Sequence, residues 1–177
     1  MTGRLIYVMG PSGAGKDSVL KAARTKAPDR LWFAHRYITR PAGDASENHV
    51  SLTPGEFAAR QAAGGFVLDW QSHGWRYGLG VEIASWLEGG ASVVVNGSRA
   101  ALGEALVRFP GLLPVLVTAS EQTRRARLAL RGRESACAVD ARLRHLEDFS
   151  ADHPDLVTIV NDATLAEAAE SFLFAVK

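Results

Sequence analysis

Residues 5 to 18 read Leu-Ile-Tyr-Val-Met-Gly-Pro-Ser-Gly-Ala-Gly-Lys-Asp-Ser, a short apolar run followed by a glycine-rich turn and a lysine. An apolar run of this length suits a buried strand. Glycines let consecutive backbone N–H groups turn inward into a concave anion site, and a helix starting near Lys16 aims its positive end at the same point. Lys16 adds a mobile charge for the outer phosphates. Strand, glycines, lysine and helix in this order predict a phosphate-binding loop in which Gly10, Pro11, Ser12, Gly13, Ala14, Gly15, Lys16, Asp17 and Ser18 surround the phosphates of a nucleotide. A turn that binds nothing would need the glycines but not the lysine or its place before a helix.

The residue after the lysine departs from the usual pattern, in which a Ser or Thr hydroxyl meets the magnesium ion that accompanies the nucleotide. Here it is Asp17, with Ser18 behind it. A carboxylate is a hard oxygen donor that can hold magnesium directly or through water; an acid also suits the first turn of any helix. Both roles stay open on the sequence.

At 177 residues with 47% hydrophobic content the chain suits one domain with one core. Twenty basic residues against nineteen acidic ones give no general attraction to nucleic acid or to a membrane surface, so charge has to act locally. Arginine supplies sixteen of the twenty positive charges, and seven of those sixteen fall between Arg124 and Arg144. Arginine is the better bidentate partner for phosphate. Cys137 is the one cysteine, which excludes an intrachain disulfide and suits a reducing compartment. No stretch reaches the roughly 18 apolar residues of a membrane span, and the first apolar run is too short for a secretion signal. A cytoplasmic protein is expected.

Apolar runs at Leu5 to Met9, Ser92 to Val95, Pro114 to Val117 and Leu156 to Val160 read as buried strands, each followed by a helical pattern, which implies a parallel sheet. Thr53-Pro54-Gly55-Glu56 and Thr164 with Glu167 are capping-box patterns at helix starts, and Gly64-Gly65 and Gly89-Gly90 end two helices. The stretch from about Trp32 to Leu79 breaks the rhythm with short elements, aromatics and polar turns, as an insertion over the sheet edge would. Within it, Phe66 to Trp70 and His73 to Gly78 predict two strands around a glycine-containing turn. Arg131 to Ala138, interrupted by Gly132, reads as a flap.

Several polar clusters could carry chemistry. His35-Arg36-Tyr37-Ile38-Thr39-Arg40-Pro41 and Ser46-Glu47-Asn48-His49 bring arginines and histidines to the insertion, where Arg36, Arg40 and His49 suit a second anionic substrate; a solvated loop is the plainer alternative. Tyr77 offers a hydroxyl to a phosphate, while Trp70 and Trp75 serve packing equally well. Asn96-Gly97-Ser98-Arg99 lies at the carboxyl end of a strand, where open parallel sheets place ligands. P-loop enzymes often carry an aspartate there for magnesium. Asn96 cannot supply that charge, which strengthens the case for Asp17, and Arg99 would add a phosphate contact. Arg124, Arg127 and Arg131 share a helical face by spacings of three and four, with Arg133 just beyond. Such a face repels itself unless an anion, such as a triphosphate, or nearby acids neutralise it. The five histidines show no close paired spacing, so no zinc site is expected.

Taken together, these segments resemble the guanylate-kinase-like group of P-loop kinases: a phosphate loop, a Thr-Arg-Pro segment, a Trp then Tyr-Gly hairpin, a basic lid, and Ile159-Val160-Asn161-Asp162 before the last helix. More narrowly, Gly-Lys-Asp-Ser (15 to 18), His-Arg-Tyr-Ile-Thr-Arg (35 to 40), Ser-Glu-Asn-His (46 to 49), Asn-Gly-Ser-Arg-Ala (96 to 100) and Arg-Gly-Arg-Glu (131 to 134) are similar to the ribose 1,5-bisphosphate phosphokinases of phosphonate catabolism. The resemblance implies an α/β P-loop NTPase three-layer fold with a parallel five-stranded core sheet, a substrate-binding insertion and a lid. It divides one kinase domain, 1–177, into a core (1–31, 91–123 and 146–177), an insertion (32–90) and a lid region (124–145).

It also implies ATP with Mg2+ on residues 10 to 18, catalytic roles for Lys16, Arg127, Arg131 and Arg133, and an acceptor, ribose 1,5-bisphosphate, on Arg36, Arg40, His49, Tyr77, Asn96 and Arg99. Asp17 becomes the candidate magnesium ligand. Neither nucleic acid nor membrane is an expected partner, and a homodimer is left open. Guanylate kinases usually carry a second arginine and a tyrosine after the Thr-Arg-x-Pro segment and a glutamate that reads guanine in the hairpin. Here Pro41 follows Arg40 directly, the second arginine is missing, and Asp69 is the nearest acid. Losing base-reading groups while keeping arginines fits an acceptor with phosphates and no base. The alternatives are a nucleoside monophosphate kinase acting on GMP and a guanylate-kinase-like binding module without catalysis.

Overall fold

The computed structural model describes residues 3–27, 29–41, 48–130 and 153–177. The expected flap, with Arg131, Arg133 and Cys137, lies outside the described residues. The fold is α/β, with five parallel strands in the order β2-β7-β1-β8-β9. The strands are β1 (Leu5–Met9), β2 (Trp32–Phe33), β7 (Val93–Asn96), β8 (Leu113–Thr118) and β9 (Val157–Val160). Every residue of β1 and β7 is buried, which is why both read as unbroken apolar runs rather than alternating ones.

Four of the five strands coincide, within a residue or two, with the runs picked out from sequence. The fifth, β2, differs from the expectation: Trp32 and Phe33, the first residues of the expected insertion, pair with Val93 and Val94 in the core sheet. Two residues at a sheet edge, with Trp32 49% exposed, leave no apolar run to detect.

By contact, the chain resolves into two compact units, Met1–Tyr7 with Ala27–Leu113, and Val8–Lys26 with Pro114–Lys177. The first unit contains a four-stranded mixed sheet, ordered β4-β3-β6-β5, of β3 (Arg36–Ile38), β4 (His49–Ser51), β5 (Phe66–Ser72) and β6 (Trp75–Gly80). β5 and β6 form the expected hairpin. Ser72 pairs with Trp75, so the turn is the two residues His73 and Gly74, both at positive φ (50° and 78°) as a tight hairpin turn requires. Helix α2 (Pro54–Ala62) starts on the predicted box: Thr53 Oγ1 accepts from the Glu56 backbone N–H, and the Glu56 carboxylate accepts from that of Thr53. Its Phe57 is fully buried 4.6 Å from the Phe66 ring. Helices α3 (Glu82–Glu88) and α4 (Leu102–Arg108) complete this unit.

In the second unit, α1 (Lys16–Lys26) packs along the final helix, α6 (Leu165–Ala175), and α5 (Glu121–Leu130) follows β8. The second predicted box opens α6 through reciprocal bonds between Thr164 and Glu167. Thr164→Ala removes the oxygen that satisfies the Glu167 N–H and should lower stability by about 1 kcal/mol. Urea denaturation of the variant checks this; an unchanged midpoint would mean water replaces the cap at no loss.

Candidate active site

The glycine-rich loop has the geometry its sequence demands. Gly13 and Gly15 both sit at φ +81°, a region that side chains disfavour. The reversals at these two residues leave the Ala14 carbonyl pointing into the protein, where it accepts from Asn161 Nδ2 at 2.8 Å and from Arg127 Nη1 at 3.3 Å. Position 15 could carry no side chain in any case, because a Cβ there would lie 2.5 Å from Asn161 Nδ2. Gly15 C=O then accepts from Val19 N–H at 3.0 Å, and α1 begins. Lys16 Nζ donates to Asp17 Oδ1 at 3.3 Å, with both side chains largely covered.

Asn161 is itself fixed from behind. Its backbone N–H donates to Thr118 C=O at 2.8 Å, while its Oδ1 is buried with no hydrogen-bond partner. The next residue, Asp162, accepts from Ser120 N–H at 2.9 Å and holds the turn into α5; that bond is the largest influence keeping its carboxyl below the usual carboxylate range. A cleft of about 320 Å³ opens on these groups, lined by Gly13, Gly15, Ser18, Arg127, Leu130, Asn161 and Leu165. Its walls combine the glycine-rich loop, the Ser18 hydroxyl and the Arg127 guanidinium with the apolar Leu130 and Leu165.

In the other unit the small sheet gathers three of the six predicted acceptor residues. Arg36 of β3 is the register partner of His49 of β4, and Ile38, two residues on, is that of Tyr77 on β6. Residues two apart on a strand share a face. Arg36 is only 9% exposed, with its guanidinium 5.1 Å from the centre of the Tyr77 ring, and that ring stacks on Trp70 at 5.5 Å. Arg40 lies beyond the end of β3, where the Thr39 hydroxyl accepts from Arg76 N–H at 2.9 Å. Asp69 accepts from Gln61 Nε2 at 2.8 Å, and the Gln61 oxygen accepts from Arg76.

Asn96 ends β7, buried, and Arg99 follows on the turn. Their support comes from Tyr7, which the sequence presents only as one more apolar residue of β1. Its hydroxyl donates to Ser98 C=O at 2.8 Å and accepts from Ser98 N–H at 2.9 Å, so one oxygen closes both backbone groups of a single residue. The ring lies flush against Gly97: a Cβ there would come 2.1 Å from Tyr7 Cζ. Burial pushes the phenol up to about 12, opposed by the Ser98 bond and by the charge of Arg36. Asn161 and Tyr7 were not singled out as site residues from the sequence. Asn161 was visible only within a family motif, and Tyr7 only as a hydroxyl inside an otherwise aliphatic strand.

No protein-family profile matches the chain. Individual relatives are close. The chain is 54% identical over 173 residues to a protein of Laribacter hongkongensis named ribose 1,5-bisphosphate phosphokinase PhnN, covering 97% of this chain and 42% of that protein. It is 50% identical over 170 residues to a protein of the same name from Desulfomicrobium baculatum, covering 95% of this chain and 91% of the relative. The chain belongs to the ribose 1,5-bisphosphate phosphokinase family. Among solved structures, the guanylate kinase of Anaplasma phagocytophilum superposes with a TM-score of 0.68 at 14% identity, over 98% of this chain and 84% of that one, which shows a shared fold. The chain spans less than half of the Laribacter relative and nine-tenths of the Desulfomicrobium one.

Tyr7→Phe keeps the ring and removes the oxygen, leaving Ser98 N–H without the acceptor Tyr7 gave it while Ser98 C=O keeps its bond from Ala101 N–H, a loss of about 1 to 3 kcal/mol. The folded chain holds the Tyr7 proton up to about pH 12, whereas the unfolded chain releases it near 10.0. The contribution of Tyr7 is therefore complete below pH 10.0 and fades as pH rises toward about 12. Urea denaturation of both proteins across that window should show the gap between wild type and Tyr7→Phe closing; a constant gap would contradict the buried phenol.

Proposed function

We propose that this protein transfers the terminal phosphoryl group of ATP to the 1-phosphate of ribose 1,5-bisphosphate, giving 5-phosphoribosyl 1-diphosphate, in phosphonate catabolism in the cytoplasm. The observation that carries this reading is the roughly half identity, over nearly the whole chain, to proteins that bear the name of that activity. The absence of any helix among the described residues long and apolar enough to cross a membrane agrees with the location.

The donor groups are residues 10 to 18 with Arg127. Backbone amides of the loop and Lys16 take the phosphates of ATP, and Arg127 lies one hydrogen bond from the loop at the Ala14 carbonyl. Arg131 and Arg133 belong to this group by sequence. Asp17 and Ser18 offer hard oxygens, and no group of three or more His, Cys, Asp or Glu side chains that could cage a metal occurs among the described residues. Magnesium would be held by the Asp17 carboxylate, the Ser18 hydroxyl and the nucleotide's own oxygens, with Asp17 in place of the usual hydroxyl after the lysine. Bound there, the ion would supply charge neutralisation at the phosphate oxygens.

The acceptor groups are Arg36, Arg40, His49, Tyr77, Asn96 and Arg99. A phosphate monoester is largely dianionic at neutral pH and attacks without help from a base. No side chain need then remove a proton, and the work left to the protein is alignment and cancellation of charge. GMP is the weaker candidate acceptor, because Asp69, the nearest acid for a guanine edge, is engaged by Gln61.

Coupled measurement of ADP release with ribose 1,5-bisphosphate and with GMP tests the choice: turnover is expected with the former and little with the latter, and the reverse ranking overturns it. Lys16→Ala should stay folded and lose about 10²- to 10³-fold in kcat, as checked by circular dichroism beside the same assay. Asp17→Asn should raise the magnesium concentration needed for half-maximal rate; an unchanged titration returns Asp17 to a helix-starting role.

A further inference from the structure

Arg124 lies one turn before Arg127 on α5 and packs directly on the phosphate-binding loop. A Cβ added at Gly13 would come within 2.9 Å of the Arg124 carbonyl oxygen and 3.2 Å of its Cα and Cβ, so the side chain leaves the helix alongside the loop. Two of its nitrogens, Nε and Nη1, are shielded from solvent and have no hydrogen-bond partner. A guanidinium cannot shed its proton to escape such a position. Leaving a buried donor unbonded costs about 1 to 3 kcal/mol, and more when the group is charged.

Native structures keep few such groups, and each calls for an explanation. Among the described residues the buried side-chain atoms without a partner are Ser51 Oγ, Arg124 Nε and Nη1, and Asn161 Oδ1. Three of these four atoms flank the same loop, since Asn161 also bonds the Ala14 carbonyl and lines the cleft. The unmet donors of a cation beside an anion-binding loop are what the site would show if their acceptor arrives with the ligand.

We propose that Arg124 is a further phosphate-binding residue, whose guanidinium donates to the phosphate chain of the bound nucleotide. This rests on the kinase reading above and extends its donor groups. It carries a distinctive signature. A residue that only supports the fold loses stability when it is removed. Arg124 has no hydrogen bond at Nε or Nη1 to lose in the empty chain, so an apolar side chain of similar bulk should be neutral or stabilising there while weakening the bound state.

The experiment measures thermal unfolding without ligand and calorimetric binding of ATP with magnesium, inorganic tripolyphosphate and adenosine, for wild type, Arg124→Leu and Arg124→Lys. Arg124→Leu should unfold at the wild-type temperature or above, and bind ATP and tripolyphosphate about 10- to 100-fold more weakly. Adenosine, which has no phosphate, should bind equally to both. Arg124→Lys should recover part of the loss, because it restores a charge without the fork. Equal affinity for ATP and tripolyphosphate across the three proteins overturns the proposal. So does a lowered unfolding temperature with unchanged binding, and so does a loss that is as large for adenosine. If Arg124→Leu fails to fold, Arg124→Gln takes its place in the same comparison. A wild-type chain that binds no ATP would sink the kinase reading itself, whereas wild-type binding matched by Arg124→Leu sinks only the role of Arg124.

Discussion

The inward-facing carbonyl of Ala14 is the point on which the nucleotide end of this protein depends. A loop that presents its amides to an anion has to send at least one carbonyl the other way, and that oxygen needs a donor inside the protein. Asn161 Nδ2 and Arg127 Nη1 both supply one. The two donors come from separate elements, the end of β9 and the body of α5, so one backbone atom ties three segments together. Asn161 is in turn anchored to Thr118, and Asp162 to Ser120. Protein groups alone therefore fix the path of the loop backbone.

A different device organises the residues proposed to meet the acceptor. Strand register in the small sheet brings Arg36, His49 and Tyr77 to one face without any of them being neighbours in sequence. The flat stack of Trp70 on Tyr77, with Arg36 over the same Tyr77 ring, gives that face a rigid, apolar backing that carries a charge. Rigid backing of this kind holds a guanidinium fork at a defined angle, which is what the proposed phosphate contact would need. Tyr7 does the corresponding work for the Asn96 to Arg99 turn.

Legibility in the sequence followed the range of the interaction. The loop, both capping boxes and the hairpin are legible because each is decided within a few residues: glycines before a lysine, threonine and glutamate three apart, a glycine-containing turn between two short strands. Strand β2 was missed because two half-exposed residues carry no pattern of their own and become a strand only by pairing with β7. Tyr7 and Asn161 were missed as site residues for the same reason in another form. Their partners, Ser98 and Ala14, lie 91 and 147 residues away, and a hydrogen bond over that distance leaves no spacing to detect. Arg124 was visible as one of a row of arginines, but its lack of partners exists only in three dimensions.

The contact between Tyr7 and Gly97 also shapes how this sequence can drift. The aromatic ring fills the space that any side chain at 97 would need, and the hydroxyl bonds both the N–H and the C=O of Ser98. A larger residue at 97 is tolerable only after position 7 has shrunk, and a smaller residue at 7 leaves a void until position 97 has grown. Each single step passes through a worse intermediate, so the two positions should be inherited as a pair, and swapping the 96–99 turn between distant kinases should succeed only when the matching residue of the first strand travels with it.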